Sequence, residues 1–315
     1  MSNVPEKKKP ETENRSGMHK SKRKEGMVEN PTILGMTADV LIIVFLVVVM
    51  FCSIIPLWHV LMASLSDGKS LLANKGLLWL PAGNATLEGY RLTFLDSSIL
   101  KGYMNTIIYV VGSTVFGMVI CTLGGYVLSR DFRLRKQFTL MITFTLLFGG
   151  GLIPSYMVNR AIGLVNTRWS LILPGATGAY FVVMMMNAFR TVPESLVEAS
   201  RIDGAGHVRT MLQVMLPQCK GISAVVILNS IVVQWNSWLP ASIYVPNKRE
   251  LWPLQLWIRQ LTADNASLLQ SANPDYNRFL IQYVVIIVST LPIILAMPFF
   301  QKYLEEGAIA GGVKG

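Results

Sequence analysis

The sequence predicts an all-α, polytopic membrane protein with six transmembrane helices, and two observations carry that prediction. Of 315 residues, 52% are hydrophobic and only 15% are charged, well under the roughly 25% charged share of a soluble domain. The apolar residues also gather into six runs, at 38–63, 104–129, 138–159, 169–190, 221–244 and 279–300. Each is close to the about 20 helical residues that cross a ~30 Å hydrocarbon core.

Residues 1–34 are a hydrophilic arm with Lys7-Lys8-Lys9 and Lys20, Lys22, Arg23 and Lys24 among acidic and small polar residues. That composition cannot build a core, so the arm is expected to be disordered. The distribution of the net charge of +10 along the chain points to topology and not to nucleic acid. No small-x-small cleavage site closes the first apolar run, which reads as a retained signal anchor. With the N-terminus inside, eighteen of the 28 lysines and arginines fall on the inner side and ten on the outer. The cluster Arg130, Arg133, Arg135 and Lys136 after the second run agrees with the arm. By the positive-inside bias both termini are cytoplasmic, leaving 64–103 and 245–278 as outer loops.

Within the third run, Gly149-Gly150-Gly151 precedes Pro154, a combination expected to kink a membrane helix beside Tyr156. The fifth run carries amides and indoles: Asn229, Gln234, Trp235, Asn236 and Trp238. Buried amides need partners or a wet path. Asn229, Val233 and Asn236 recur at helical spacing, as do Gln234 and Trp238. Amides with indole faces suit the hydroxyls and C–H faces of a sugar, so Tyr156, Asn229, Gln234, Trp235, Asn236 and Trp238 are candidate substrate-pathway residues. The alternative is interhelical glue with an interfacial Trp belt.

Between the fourth and fifth runs lies a polar stretch, 191–217. Thr191 and Glu194 have capping-box spacing, with Pro193 suited to a first helical turn. Leu196, Ala199, Ser200 and Ile202 carry a short helix to Gly204, a residue able to end it in the left-handed conformation. A second short helix starts near His207 and runs to Pro217, which resists continuation. Apolar Leu196, Val197, Ile202, Val208, Met211, Leu212 and Met215 alternate with Glu194, Glu198, Arg201, Asp203 and Arg209. An amphipathic segment held between two spans reads either as an ordinary solvated loop helix or as a docking surface, and its spacing does not decide between them.

Several chemistries find no support in these residues. Ser66-Asp67-Gly68-Lys69-Ser70 lacks the earlier glycine of a phosphate-binding loop, since Ala63 holds that position, and no other stretch supplies one. The histidines, His19, His59 and His207, have neither zinc-site nor triad spacing; His59 reads as a hydrogen-bonded structural residue, and His207 as solvated or at a partner surface. Cys52, Cys121 and Cys219 show no metal-ligand spacing or disulfide framework. Neither metal nor cofactor is called for, and the chain is not expected to be an enzyme. The spans are nearly free of ionisable residues, which disfavours an ion-coupled carrier.

Glu198-Ala199-Ser200, then Asp203-Gly204-Ala205, then Leu216-Pro217 resembles the Glu-Ala-Ala motif of ATP-binding-cassette (ABC) importer permeases. In that family a Gly stands four residues after the second Ala, and a hydrophobic-Leu-Pro follows about a dozen residues on. Ser200 replaces the second Ala and is small enough for the same packing. Gly150-Gly151-Leu152-Ile153-Pro154, Leu164-Val165-Asn166-Thr167-Arg168-Trp169, Leu173-Pro174-Gly175, Trp235-Asn236-Ser237-Trp238 and Leu251-Trp252-Pro253-Leu254-Gln255 are similar to the carbohydrate-type, maltose-type second permeases, within them the lipoprotein/polysaccharide-type permeases of oligosaccharide systems. The tail 301–315, ending Gly311-Gly312-Val313-Lys314-Gly315, also resembles that group.

The resemblance implies a type I importer permease fold over 35–300 in a bacterial plasma membrane. Its partners would be a second homologous permease, two ATP-binding subunits and an extracellular solute-binding protein, with an oligosaccharide as substrate and no nucleic acid. Residues 191–217 would then be the helix coupling to the ATPase, through Glu198, Ala199, Ser200, Asp203, Gly204, Ala205, Leu216 and Pro217. The tail would reach between the ATPase subunits, and 245–278 would lie where the outer loop of the maltose system meets its binding protein. A permease for a non-sugar solute, or less readily an autonomous carrier, is the alternative.

Overall fold

A computed structural model describes residues 33–176, 178–268 and 276–312. Contacts divide the chain into two units, Met1–Ile55 and Pro56–Gly315. The described part of the first unit is the beginning of helix α1 (Ile33–Ser64). Its side chains from 37 to 54 are exposed, among them Leu41, Phe45 and Phe51. From Val40 to Phe51 that surface is wholly apolar, which is what a bilayer or a protein partner in it covers.

The second unit is helical throughout its described residues. Two short helices follow α1: α2 (Gly68–Ala73) and α3 (Glu88–Leu95). Asp67 caps α2 by accepting the Ser70 backbone N–H at 3.1 Å. Helix α4 (Ser97–Ser129) begins seven residues earlier than the apolar run suggests. Asp96 caps it, its Oδ1 accepting from the Ser98 N–H at 2.8 Å, so four residues' worth of unpaired amides are partly satisfied before the chain turns apolar.

The third run is not one helix. α5 (Arg135–Leu147) and α6 (Leu152–Ala161) meet at 115° across Gly149–Gly151, and Gly151 takes φ +84, where a Cβ would clash with its own backbone. α7 (Trp169–Ala176) and α8 (Ala179–Arg190) bend by 41°. The polar stretch forms α9 (Glu194–Ile202), α10 (His207–Arg209), a π-helical turn (Thr210–Met215) and α11 (Leu216–Gln218). At Cys219 the path bends by 87° into α12 (Lys220–Trp235). The fifth run also breaks, at Asn236–Trp238, before α13 (Leu239–Tyr244), whose first turn holds Pro240.

The stretch 245–278 contains more than a loop: a single 3₁₀ turn (Arg249–Leu251) leads into α14 (Leu254–Leu268). Its start is bolted to α4. Asn105 Nδ2 donates to the carbonyls of Glu250 (2.7 Å) and Trp252 (3.2 Å). Tyr109 donates to the Leu251 carbonyl at 2.7 Å, and the Leu254 N–H donates to Thr106 Oγ1 at 2.8 Å. Finally α15 runs from Tyr276 to Gly312. Among the described residues three helices are long and apolar enough to span a membrane, and up to six spans result if each bent pair counts as one.

α4 is the central helix, packed by α7, α8, α12 and α14. Close approach to α8 depends on Gly125. A Cβ there would lie 2.8 Å from Met185 Cβ and 2.9 Å from the Met186 backbone nitrogen. The main core, including Cys121, Tyr126, Met185, Phe189, Val197, Met211, Met215 and Val226, joins α4, α8 and α12 to the 191–217 segment. A second cluster around Tyr109, Ile172, Tyr244 and Trp252 ties α4 to α7, α13 and the start of α14.

Candidate functional site

The 191–217 segment is built as two short arms with one face packed and one face open. Val197 (0% exposed), Met211 (4%) and Met215 (0%) anchor it in the core. Ser200 is buried with them, its hydroxyl 2.8 Å from the Val197 carbonyl and 3.0 Å from Thr210 Oγ1. That hydroxyl pair links the two arms, which explains why a serine is tolerated where the motif has alanine: its polar atom is satisfied in place.

Gly204 ends α9 with φ +77. The Ala205 N–H bonds the Ser200 carbonyl (2.9 Å) and the Gly204 N–H bonds Arg201 (3.0 Å), the paired pattern of a Schellman stop. No atom lies within 4 Å of a Cβ built at Gly204. Backbone conformation, not crowding, therefore favours glycine there.

The expected capping box does not form. Thr191 closes α8 instead, its hydroxyl donating to the Ala188 carbonyl at 2.8 Å, and Pro193 occupies the N-cap. That puts Glu194 in the first helical position, too early to reach back as a capping-box glutamate must. It pairs with Arg130 at 3.1 Å. His207 is exposed, yet its Nδ1 lies 3.0 Å from the Tyr126 hydroxyl. The Arg130 guanidinium sits over the Tyr126 ring at 5.9 Å. Both arms are thus tied to the end of α4, a pair of contacts the one-dimensional pattern did not reveal. Pro217 does not stop the second arm by itself; the turn comes two residues later, at Cys219.

The open face carries Leu196, Ile202 and Val208, with Ile202 87% exposed, while Leu212 borders a groove with Met118, Ile227 and Phe300. Around them Glu198, Ala199, Arg201, Asp203 and Gly204 are exposed, as is Pro217; Ala205 and Leu216 are half-buried. Of the expected tail residues, Gly311 and Gly312 close α15, while Val313, Lys314 and Gly315 lie outside the described residues, as do residues 1–32 of the arm.

The pathway candidates separate into two groups. Asn229 and Val233 on α12 and Asn236 at its C-cap form an exposed stripe, each amide donating back to a carbonyl one turn earlier (Val225 at 2.9 Å, Val232 at 2.8 Å). Gln234 and Trp235 face inward. Gln234 donates to the Leu171 carbonyl at 3.3 Å and covers Gly175, where a Cβ would meet its Oε1 at 2.4 Å. Trp235 donates to the Ser289 carbonyl at 3.0 Å and meets Tyr103 edge-on. Trp238 lies under the Arg259 guanidinium at 4.7 Å, and Tyr156 stacks with Tyr244. Trp235 and Asn236 also border a cavity of about 250 Å³ with Gln255, Ser289 and Thr290. Sequence reading missed those three; the adjacent hydroxyls of Ser289-Thr290 within the last span were the available signal. His59 accepts the Leu78 N–H at 3.1 Å, the structural role its position suggested.

Residues 15–309 match the family of binding-protein-dependent transport system inner membrane components. The chain belongs to that family. Among this permease's relatives is the polygalacturonan/rhamnogalacturonan transport system permease protein YtcP of Bacillus subtilis (strain 168). It is 32% identical over 284 residues, covering 88% of this chain and 98% of that protein. The maltodextrin transport system permease protein MdxG of the same strain is 31% identical over 242 residues, covering 74% and 82%. The crystal structure of a bacterial ABC transporter involved in the import of the acidic polysaccharide alginate contains a chain that superposes with a TM-score of 0.79 at 25% identity, covering 88% of this chain and all of that one. The all-α permease architecture and membership of a membrane transport family therefore stand as the sequence led us to expect.

Proposed function

We infer that this permease is one of two related membrane subunits of an ATP-driven importer of oligosaccharides or related glycans, and that 191–217 is its coupling element. One observation carries the reading: the segment is mounted on the bundle through a shared core while Leu196, Ile202 and Val208 are exposed, with exposed Glu198, Arg201 and Asp203 beside them. An apolar centre with a charged rim has the anatomy of a protein interface. Glu198 is the salt-bridge partner for a basic residue of the ATPase. Gly204 sets the angle between the arms, and Ala199, Ser200, Ala205, Leu216 and Pro217 shape the remainder.

In this account the termini and the coupling segment are cytoplasmic, where two ATP-binding subunits dock, and the tail 311–315 reaches them. A solute-binding protein delivers the glycan from the opposite side. Closure of the ATPase pair moves the segment; because it shares a core with α4, α8 and α12, those helices move with it and the bundle changes access. This is a two-state element biased by a ligand elsewhere, so the chain needs no catalytic group. The exposed stripe Asn229, Val233 and Asn236, with Tyr156 and Trp238 further along, lines this subunit's half of the path. Gln234 and Trp235 serve it from behind, holding α12 against α7 and α15. Glycan specificity follows the relatives, which are named for polygalacturonan/rhamnogalacturonan and maltodextrin transport.

Glu198→Arg tests the reading. The assembled complex should insert normally, yet lose uptake and lose stimulation of its ATPase by loaded binding protein. Unchanged uptake would overturn the coupling role.

A further inference from the structure

The 87° corner between the 191–217 segment and α12 leaves a groove on one side of the bundle. Leu212 and Leu216 of the segment form one wall and Ala224 and Ile227 of α12 another; Met118 of α4 and Phe300 of α15 complete it, around about 510 Å³ of space. Its polar side chains are Ser223 and Lys220, and no Asp or Glu borders it. The Ser223 hydroxyl is spent on the Cys219 carbonyl at 2.9 Å. Lys220 is exposed, with no ion pair or side-chain hydrogen bond among the described residues.

Lys220 is the first residue of α12, and no Asp, Glu, Lys or Arg follows it in that helix. Its ammonium therefore stands at the water end of an apolar span, at head-group level. Ala224 and Ile227 lie about one and two turns deeper on the same face. Asn229 and Val233 fall on the opposite side of the helix, so the groove is separate from the exposed stripe assigned above to the path.

The lining selects its occupant. A hydrophilic solute would lose its water against leucine, isoleucine and phenylalanine and gain a single cation in return. An apolar helix of a neighbouring protein would fill the walls and leave the ammonium unmatched. An amphiphile satisfies both, with its chain along the walls and an anionic head on Lys220. A zwitterionic head brings its own cation to the same place and cancels the attraction. The volume lies within the roughly 300–1,000 Å³ of small-molecule sites.

We propose that this groove holds an anionic phospholipid, one acyl chain lying against Leu212, Leu216, Ile227 and Phe300 and its phosphate on Lys220. The assignment rests on membership of an inner-membrane family and not on the coupling reading. The chain touches the segment, α4, α12 and α15 together, so the lipid fills the corner on which the segment is mounted.

The test holds the complete transporter in phosphatidylcholine nanodiscs containing a trace of phospholipid with a photoactivatable diazirine midway along one acyl chain. The probe's head group is phosphatidylglycerol in one arm and phosphatidylcholine in the other, and tagged peptides are mapped by mass spectrometry. The nanodisc scaffold protein, which meets both probes alike, sets the reference, and variants are compared at equal yield of assembled complex. The phosphatidylglycerol probe should tag the groove peptides about fivefold more than the phosphatidylcholine probe, the advantage of one lysine beside an anionic head. Lys220→Gln should erase that difference, and Lys220→Arg should keep it. Ala224→Trp, whose ring fills the groove, should remove tagging by both probes. Equal tagging of the wild-type groove by the two probes would overturn the proposal, and so would a preference that survives Lys220→Gln. A groove left untagged while the scaffold is tagged would overturn it as well, and is the result expected if a neighbouring protein covers this face.

Discussion

Ile202 offers the sharpest separation between folding and docking. It is 87% exposed, so its side chain contributes almost nothing to this chain's own core. Truncation to alanine removes three carbons, and at ~0.8 kcal/mol per buried carbon group the loss is about 2 kcal/mol if a partner covers them. That corresponds to roughly thirtyfold weaker binding. Val197, one turn away on the opposite face and 0% exposed, supplies the control. Val197→Ala should cost about 2–3 kcal/mol of permease stability through lost transfer energy and a residual cavity. The assay titrates the ATPase subunit onto nanodisc-held permease pairs and follows thermal unfolding of the same samples. Ile202→Ala should weaken ATPase binding about thirtyfold with stability changed by under about 0.5 kcal/mol. Unchanged binding for Ile202→Ala would refute the reasoning that this face is the docking surface.

Three other outcomes are expected. Gly204→Ala should destabilise the α9 stop by roughly 1–2 kcal/mol through its φ of +77 alone, and Gly204→Asn by less; hydrogen exchange of the 199–206 amides reads both. Gly125→Ala should be much worse than its size suggests, because backbone of α8 lies 2.9 Å from the new carbon and overpacking costs about 1–3 kcal/mol; the yield of folded permease by size-exclusion chromatography should fall. The Asp67 carboxyl is held below its ordinary 3.8, first by the Ser70 backbone N–H and then by the Ser70 hydroxyl. The cap it gives α2 is therefore in force above about pH 3.8 and is lost as pH falls through the lower folded value. Protection of the α2 amides should follow that curve, and Asp67→Ala should abolish it.

Much of this architecture was legible because membrane spans announce themselves by composition, and because Gly151 and Gly204 mark places whose positive φ favours glycine. The 115° break and the left-handed stop follow from those residues. What could not be read were partnerships across long separations. Glu194 looked like half of a local capping box, but Arg130, 64 residues away, claims it. Gln234 and Asn236 look alike in the chain, yet the helical phase turns one onto Leu171 and leaves the other exposed. The stretch near Leu251 carried no strong periodic signal, since its hold on α4 runs through backbone carbonyls, which every residue possesses. Ser289 and Thr290 sit in a run whose hydropathy hides them, and only the packing of α12 and α14 against α15 brings them into one cavity.

In the proposed mechanism, motion enters the bundle from a separate ATPase. Proteoliposomes holding this chain and its partner permease, with binding protein and labelled glycan, measure it most directly when the ATP-binding subunits are added or withheld. Accumulation against a gradient only when those subunits and ATP are both present is the predicted result. Accumulation by the membrane subunits alone would contradict it.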